Sequence, residues 1–237
     1  MKQSMILLHG LFGRLSNWET VIDHFKTSYD IHVPALPIFD SPPKADQLLY
    51  LTSFLDNYIQ QHCLKDVILI GNSLGGHVAI LYASLHGDKV KELVLTGSSG
   101  LYENTNIGAF PRRSSYDYIR ERVAYTFYNP AMATEELVLE VMEVTTDSAK
   151  CLCTIRMAKS AQRNYVADLL PGIEVPVWLI WGKEDKVTPV HVAYEFADLL
   201  PHAHLTVFDE CGHVPMMEKP DHFNAVLSSY LRVQKTN

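Results

Sequence analysis

Val67-Ile68-Leu69-Ile70-Gly71-Asn72-Ser73-Leu74-Gly75-Gly76-His77-Val78-Ala79-Ile80-Leu81-Tyr82-Ala83 is the stretch that decides the fold. Its first four residues are β-branched or leucine, a run that reads as a buried strand, and its last eight read as an apolar-rich helix. Between them lies Gly-x-Ser-x-Gly, a sharp strand-to-helix turn with Ser73 at the apex. Gly71 and Gly75 flank the apex, where side chains would collide with neighbouring backbone. A helix that starts at a serine also points its N-terminal amides toward negative charge developing there. Ser73 is therefore a candidate nucleophile, in the arrangement called a nucleophile elbow.

A serine hydroxyl is a poor nucleophile near neutral pH and needs a general base, which in turn needs an orienting group. Both occur late in the chain. Val177-Trp178-Leu179-Ile180-Trp181-Gly182 reads as a strand that delivers Lys183-Glu184-Asp185-Lys186-Val187-Thr188-Pro189. Leu205-Thr206-Val207-Phe208 then leads into Asp209-Glu210-Cys211-Gly212-His213. Parallel sheets present functional groups beyond the carboxyl ends of their strands, so two strand ends offer an acid and a histidine. Glu184 is the rival for the acidic role, although it points away from its neighbour at a strand end. Cys211, beside the histidine, reads as a packed small residue.

Four segments, in this order, resemble the α/β-hydrolase superfamily over essentially the whole chain: His9-Gly10-Leu11-Phe12-Gly13, Gly71-Asn72-Ser73-Leu74-Gly75-Gly76, Trp181-Gly182-Lys183-Glu184-Asp185 and Cys211-Gly212-His213. The resemblance implies that Ser73 is the nucleophile, His213 the general acid/base and Asp185 the group that orients and stabilises the imidazolium. It also implies an oxyanion hole made by the backbone N–H groups of Leu11 and Leu74, with Phe12 as a substitute for Leu11. Phe12, Asn72 and Val214 are expected at the substrate pocket. His9 and His77, beside these motifs, are expected to hydrogen-bond to backbone.

Composition narrows the remaining possibilities. The 237 residues are enough for one substantial core, and 47% are hydrophobic, with no apolar run long enough to span a bilayer. Met1-Lys2-Gln3 leads straight into the first strand, so a cytoplasmic protein without a secretory leader is expected. Cys63, Cys151, Cys153 and Cys211 are scattered, and reduced thiols fit that compartment. A net charge of −7 without a basic run argues against nucleic acid as a partner. His202-Ala203-His204 reads as a solvated turn, because no neighbouring carboxylate or cysteine completes a ligand set. No metal and no organic cofactor is expected, and the partner is a small-molecule ester or acyl substrate.

Strands and helices alternate along the chain, which predicts an α/β fold with a mainly parallel sheet of about six strands. Expected strands are Ser4–Leu8, Tyr29–Pro34, the run before Ser73, Val90–Gly97, Val177–Gly182 and Leu205–Phe208. Helices are expected from Asn17 to Phe25 (capped by Ser16 or Asn17), Ala45 to His62, Pro189 to Leu199 and Pro220 to Val233. The alternation breaks between residues 100 and 172, where Tyr116–Tyr128, Thr134–Thr146 and Ala149–Asn164 read as successive amphipathic helices. This resembles the helical cap of the superfamily, inserted into a core of residues 1–99 and 173–237. Phe110, Tyr125, Phe127, Tyr128 and Met157 are candidates to line the roof, although that spacing also suits ordinary packing. Arg112-Arg113 is expected to pair with Asp117 and Glu121 one turn away.

The most economical reaction is hydrolysis of a carboxylic ester or related acyl compound through an acyl-enzyme on Ser73. Thioesterase and lactonase activities are variants of it. A second reading is carbon–carbon bond hydrolysis, since Gly-Asn-Ser-x-Gly-Gly and Cys-Gly-His resemble enzymes that cleave meta-cleavage products of aromatic ring fission. Two positions depart from that pattern: Val214 stands where those enzymes carry Trp, and Glu135–Glu143 lacks their cap arginine. A third reading, of another class, is a non-catalytic ligand-binding protein on the same fold.

Overall fold

The computed structural model describes residues 2–13, 18–42, 45–103 and 112–233. Within them the strands are β1 (Gln3–Leu8), β2 (Tyr29–His32), β3 (Val67–Asn72), β4 (Val90–Thr96), β5 (Val177–Gly182) and β6 (Ala203–Phe208). They form one parallel sheet in the order β2-β1-β3-β4-β5-β6. The apolar runs explain it. Alternate residues of a strand face opposite sides, and a parallel sheet is covered on both, so each strand can be apolar throughout. In β1, Ile6 and Leu8 enter one core while Met5 and Leu7 enter the other; in β3, Val67 and Leu69 oppose Ile68 and Ile70.

The connecting helices are α1 (Glu19–Phe25), α2 (Gln47–Gln61), α3 (Leu74–Leu85), α7 (Val190–Leu199), α8 (Pro215–Glu218) and α9 (Pro220–Val233). Between β4 and β5 the chain instead forms α4 (Tyr116–Tyr125), α5 (Glu135–Thr146) and α6 (Ser148–Arg163). Local chemistry sets their starts: Ser115, Thr134 and Asp147 each accept first-turn backbone N–H groups of α4, α5 and α6. The insertion serves both cores, Met157 and Ala161 joining one, Ile119, Val123, Phe127 and Val138 the other.

Three expectations need correction. α4 stops at Tyr125, where the backbone N–H groups of Thr126 and Phe127 bond three residues back, to Val123 O and Ala124 O, and close the helix with a tighter turn. Arg112 and Arg113 form no ion pair with Asp117 or Glu121; they precede the Ser115 cap, outside the helix that would bring the charges together. Arg113 donates to Ser148 Oγ instead, at 3.0 Å. Ala203 and His204 lie in β6, where His204 stacks on Trp178 at 4.6 Å, and a carboxylate does reach His202, Glu174 at 3.5 Å. The pair His202–Glu174 is exposed and forms part of no larger ligand cluster. The expected caps Ser16 and Asn17, and Phe110, lie outside the described residues.

Candidate active site

The turn leaving β3 holds Ser73 at φ 54° and ψ −119°, a left-handed backbone that a residue with a side chain rarely adopts. Such a conformation costs on the order of 1–3 kcal/mol and persists where its surroundings enforce it. Here Ser73 N donates to Thr96 O at 3.1 Å, while Ser73 O accepts from His77 N and Ser99 N. The flanking glycines are steric necessities. A Cβ on Gly71 would lie 2.5 Å from the Gly75 carbonyl oxygen, and one on Gly75 would run into the Leu8 carbonyl of β1.

Beyond β5, Asp185 is buried in a cradle of donors. Its Oδ1 accepts from the backbone N–H of Val187 (2.8 Å) and Thr188 (3.0 Å), and its Oδ2 from the Thr188 hydroxyl (3.0 Å). Trp181 Nε1 ties this loop down by donating to Thr188 O at 2.8 Å. The remaining partner is His213 Nδ1, 2.8 Å from Asp185 Oδ2. A carboxylate only accepts, so the proton belongs on Nδ1 and Nε2 is the basic nitrogen. Glu184, the sequence rival, turns the other way and accepts from Cys211 N at 3.0 Å. The two adjacent acids are thus separated by their partners.

The His213 backbone is anchored from two sides. Its N–H donates to Thr126 O of the insertion at 2.8 Å, and its carbonyl accepts from Asn72 Nδ2 at 3.1 Å. Asn72 Nδ2 also donates to Thr96 O at 3.0 Å. Asn72 borders the pocket as expected, but its amide nitrogen is committed to backbone. Gly97, at φ +50°, passes beneath the imidazole; a Cβ there would approach His213 Nδ1 to 2.8 Å.

Ser73 and His213 border the same cavity, of about 180 Å³, and its walls are mostly apolar. Leu11, Phe12, Leu74 and Val214 line it, and Phe127 and Val123 close it from the insertion. Leu74 is the first residue of α3, so its N–H has no acceptor within the helix. The crevice opens where the chain leaves β1 and β3 for opposite directions in the sheet, the usual location for ligands in open α/β folds. Among the other roof candidates, Met157 is wholly buried in the core, Tyr128 is exposed, and Tyr125 packs against Arg122 and Lys186.

The two flanking histidines are neutral supports. His9 Nε2 accepts from Leu36 N at 3.0 Å, its Nδ1 donates to Gly10 O at 2.8 Å, and burial lowers its pKa. His77 Nδ1 meets Ser99 Oγ at 3.2 Å, and burial, opposed by a backbone hydrogen bond with Asn164, pushes its pKa down to about 4. Cys211 is wholly buried, and burial, reinforced by Glu218, drives its thiol far upward. Among the described residues no cluster of three or more His, Cys, Asp or Glu forms a metal site.

Several bordering residues were not singled out from sequence. Glu103, Arg122 and Glu140 bring three charged groups to the cavity, and Ser99 hydrogen-bonds Glu103. Glu103 sat in a stretch legible only as loop, and Arg122 one turn inside a polar helix. Their spacing carries no signal, because only tertiary folding aims them inward.

A family model described as alpha/beta hydrolase fold matches residues 3–220. The chain belongs to that family. Like other α/β hydrolases, it resembles a 2-hydroxy-6-oxononadienedioate/2-hydroxy-6-oxononatrienedioate hydrolase of Pseudomonas sp, at 26% identity over 96% of this chain and 87% of that protein. A 2-hydroxy-6-oxo-6-(2'-aminophenyl)hexa-2,4-dienoic acid hydrolase of Metapseudomonas resinovorans is 27% identical over 95% of this chain and 83% of that one. Among solved structures, an alpha/beta hydrolase enzyme from the sediment metagenome of the Mar Chica lagoon, Morocco, is 34% identical, covers 99% of this chain and 93% of its own, and superposes with a TM-score of 0.80. The fold is also shared with 2-hydroxy-6-oxo-6-phenylhexa-2,4-dienoate hydrolase from Rhodococcus sp. strain RHA1, at TM-score 0.87, 21% identity, and 98% and 90% coverage. The protein is a hydrolase of this fold, and no helix among its described residues is long and apolar enough to cross a membrane.

Proposed function

We propose that this hydrolase cleaves a small carboxylic ester, or a related acyl compound, through a covalent acyl-enzyme on Ser73. The observation that carries the reading is the 2.8 Å contact between Asp185 and His213 at the mouth of a cavity that also exposes the strained Ser73. Ser73 Oγ attacks the substrate carbonyl carbon as His213 Nε2 takes its proton. The resulting oxyanion is held by the N–H groups of Leu11 and Leu74; one such donor is worth ~3 kcal/mol in the transition state. The protonated imidazole, stabilised by Asp185, gives the proton to the departing alcohol. Water, deprotonated by the same Nε2, then releases the acid. The helical insertion acts as a cap over the acyl pocket.

A cavity of about 180 Å³ is little larger than the ~150 Å³ that admits benzene, which favours short acyl chains. Hydrolysis of p-nitrophenyl esters from acetate to octanoate tests the reading. The expected result is an optimum at four to six carbons, roughly, and loss of turnover in Ser73→Ala. Absence of Ser73-dependent turnover with every ester would sink it, and labelling of Ser73 by a fluorophosphonate would then still separate an active serine from a silent pocket.

Carbon–carbon bond hydrolysis is the second reading. The names of the curated relatives favour it over a carboxylesterase, and Asn72 fits it. Arg122, from α4, also brings to the pocket a guanidinium that α5 lacks. The substrate named for the Pseudomonas relative is a dicarboxylate, which makes the charge of this pocket the discriminating property.

A further inference from the structure

We propose that Glu103 is an electrostatic filter that commits this pocket to acyl substrates whose acyl part is uncharged and turns away those carrying a second carboxylate. The inference rests on the acyl-hydrolase reading and adds the substrate class to it.

Glu103 follows β4 by a few residues and borders the cavity together with Ser73, His213 and Ser99. It is the acid that reaches the cavity from the sheet side. The other charged groups that border the cavity come from the insertion: Arg122 on α4 and Glu140 on α5. Among the described residues, one guanidinium against two carboxyl groups leaves an excess of one negative charge, and no lysine or arginine forms an ion pair with Glu103. Ser99 is its hydrogen-bond partner, and the charge of His213 favours its ionised form. Ser99 is itself held by His77, which burial keeps neutral, so no fixed cation stands behind it.

A carboxylate in a mostly apolar pocket has two consequences. It helps the imidazolium that His213 becomes during acyl transfer, because opposite charges attract strongly where water is scarce. It also repels a second carboxylate brought in on the acyl chain. At an effective dielectric of ~20, like charges about 8 Å apart cost roughly 2 kcal/mol, enough for a tenfold discrimination or more. Burial raises the Glu103 pKa, and Ser99 and His213 oppose that rise. Protonation removes the repulsion, so the filter relaxes as pH falls.

The test compares p-nitrophenyl hexanoate with the half-ester p-nitrophenyl adipate, which have the same chain length and differ by one carboxylate. The readout is the ratio of their kcat/KM values between pH 6 and 8. Effects on the chemical step that both esters share cancel in that ratio. The wild-type enzyme is expected to favour hexanoate, and less so toward pH 6. Glu103→Gln should raise the adipate-to-hexanoate ratio about tenfold and flatten its pH dependence, while Glu103→Asp keeps the discrimination. An unchanged Tm in each variant shows that the enzyme is folded, because loss of the Glu103 charge also weakens the imidazolium and slows both esters. An unchanged ratio in Glu103→Gln would overturn the filter, as would a wild-type preference for adipate that disappears in Arg122→Gln. Absence of Ser73-dependent turnover with both esters would instead remove the acyl-hydrolase reading underneath.

Discussion

At the scale of single residues, the adjacent acids Glu184 and Asp185 show how environment assigns chemistry. Both follow β5, yet only Asp185 receives two backbone N–H groups, a threonine hydroxyl and the imidazole. Asp185→Asn presents an amide where Nδ1–H needs an acceptor and favours the wrong tautomer of His213. If Ser73, His213 and Asp185 act as proposed, its kcat on a p-nitrophenyl ester is expected to drop by about four orders of magnitude, as such a change does in Ser-His-Asp enzymes. Glu184→Gln keeps an oxygen for the Cys211 N–H and should retain most of the activity. Equal losses in both variants would count against the assignment. Asn72 belongs to the same scale. Asn72→Ala removes donors from Thr96 O and His213 O together, so kcat should fall along with a stability loss of roughly 1–3 kcal/mol, read by urea unfolding.

The elements add what no single residue carries. The turn from β3 into α3 was legible because its glycines, serine and flanking apolar runs are contiguous in sequence. The same holds for the strands that deliver Asp185 and His213. The short helix α8 was not legible, since Pro215–Glu218 spans a single turn and has no periodicity to read. It nevertheless joins two elements that are distant in sequence. Glu218 accepts from Gly212 N and Tyr128 N, each at 2.7 Å, and so links the loop of His213 to the segment that follows α4. Gly212 makes this approach possible: a Cβ there would lie 2.7 Å from Thr126 O. If Glu218 is replaced by alanine, both N–H groups lose their acceptor and His213 N keeps only its bond to Thr126 O. A displacement of the imidazole by a fraction of an ångström is expected to lower kcat about tenfold or more, with Glu218→Gln intermediate because it retains one acceptor oxygen. A lowered Tm with unchanged kcat would reduce Glu218 to a purely structural role.

For the whole molecule, the sheet is the frame that brings Ser73, Asp185 and His213 to one edge, and its stability depends on groups buried far from that edge. Glu92 of β4 is the clearest case, a carboxyl that is 1% exposed and accepts from Trp178 Nε1 at 3.0 Å. Its position in a strand rich in Val and Leu could be seen in sequence, but the indole that compensates it lies 86 residues away. Burial raises its pKa above the ordinary carboxylate range, against the opposing pull of Trp178 and Lys91. The native state therefore holds this proton at pH values where the unfolded chain has released it. More protons bound in the native state means that stability falls as pH rises, from the ordinary carboxylate range up through the native pKa. Below that window the protonated carboxyl carries no penalty; above it the full cost of the buried charge is present. Glu92→Gln keeps an acceptor for Trp178 and cannot ionise. Whatever fixed offset the amide introduces, the difference in Tm between Glu92→Gln and wild type should shift in the variant's favour between pH 4 and pH 8. A difference that stays constant across that range would mean that Glu92 titrates alike in the folded and unfolded chains, contrary to its burial beneath Trp178.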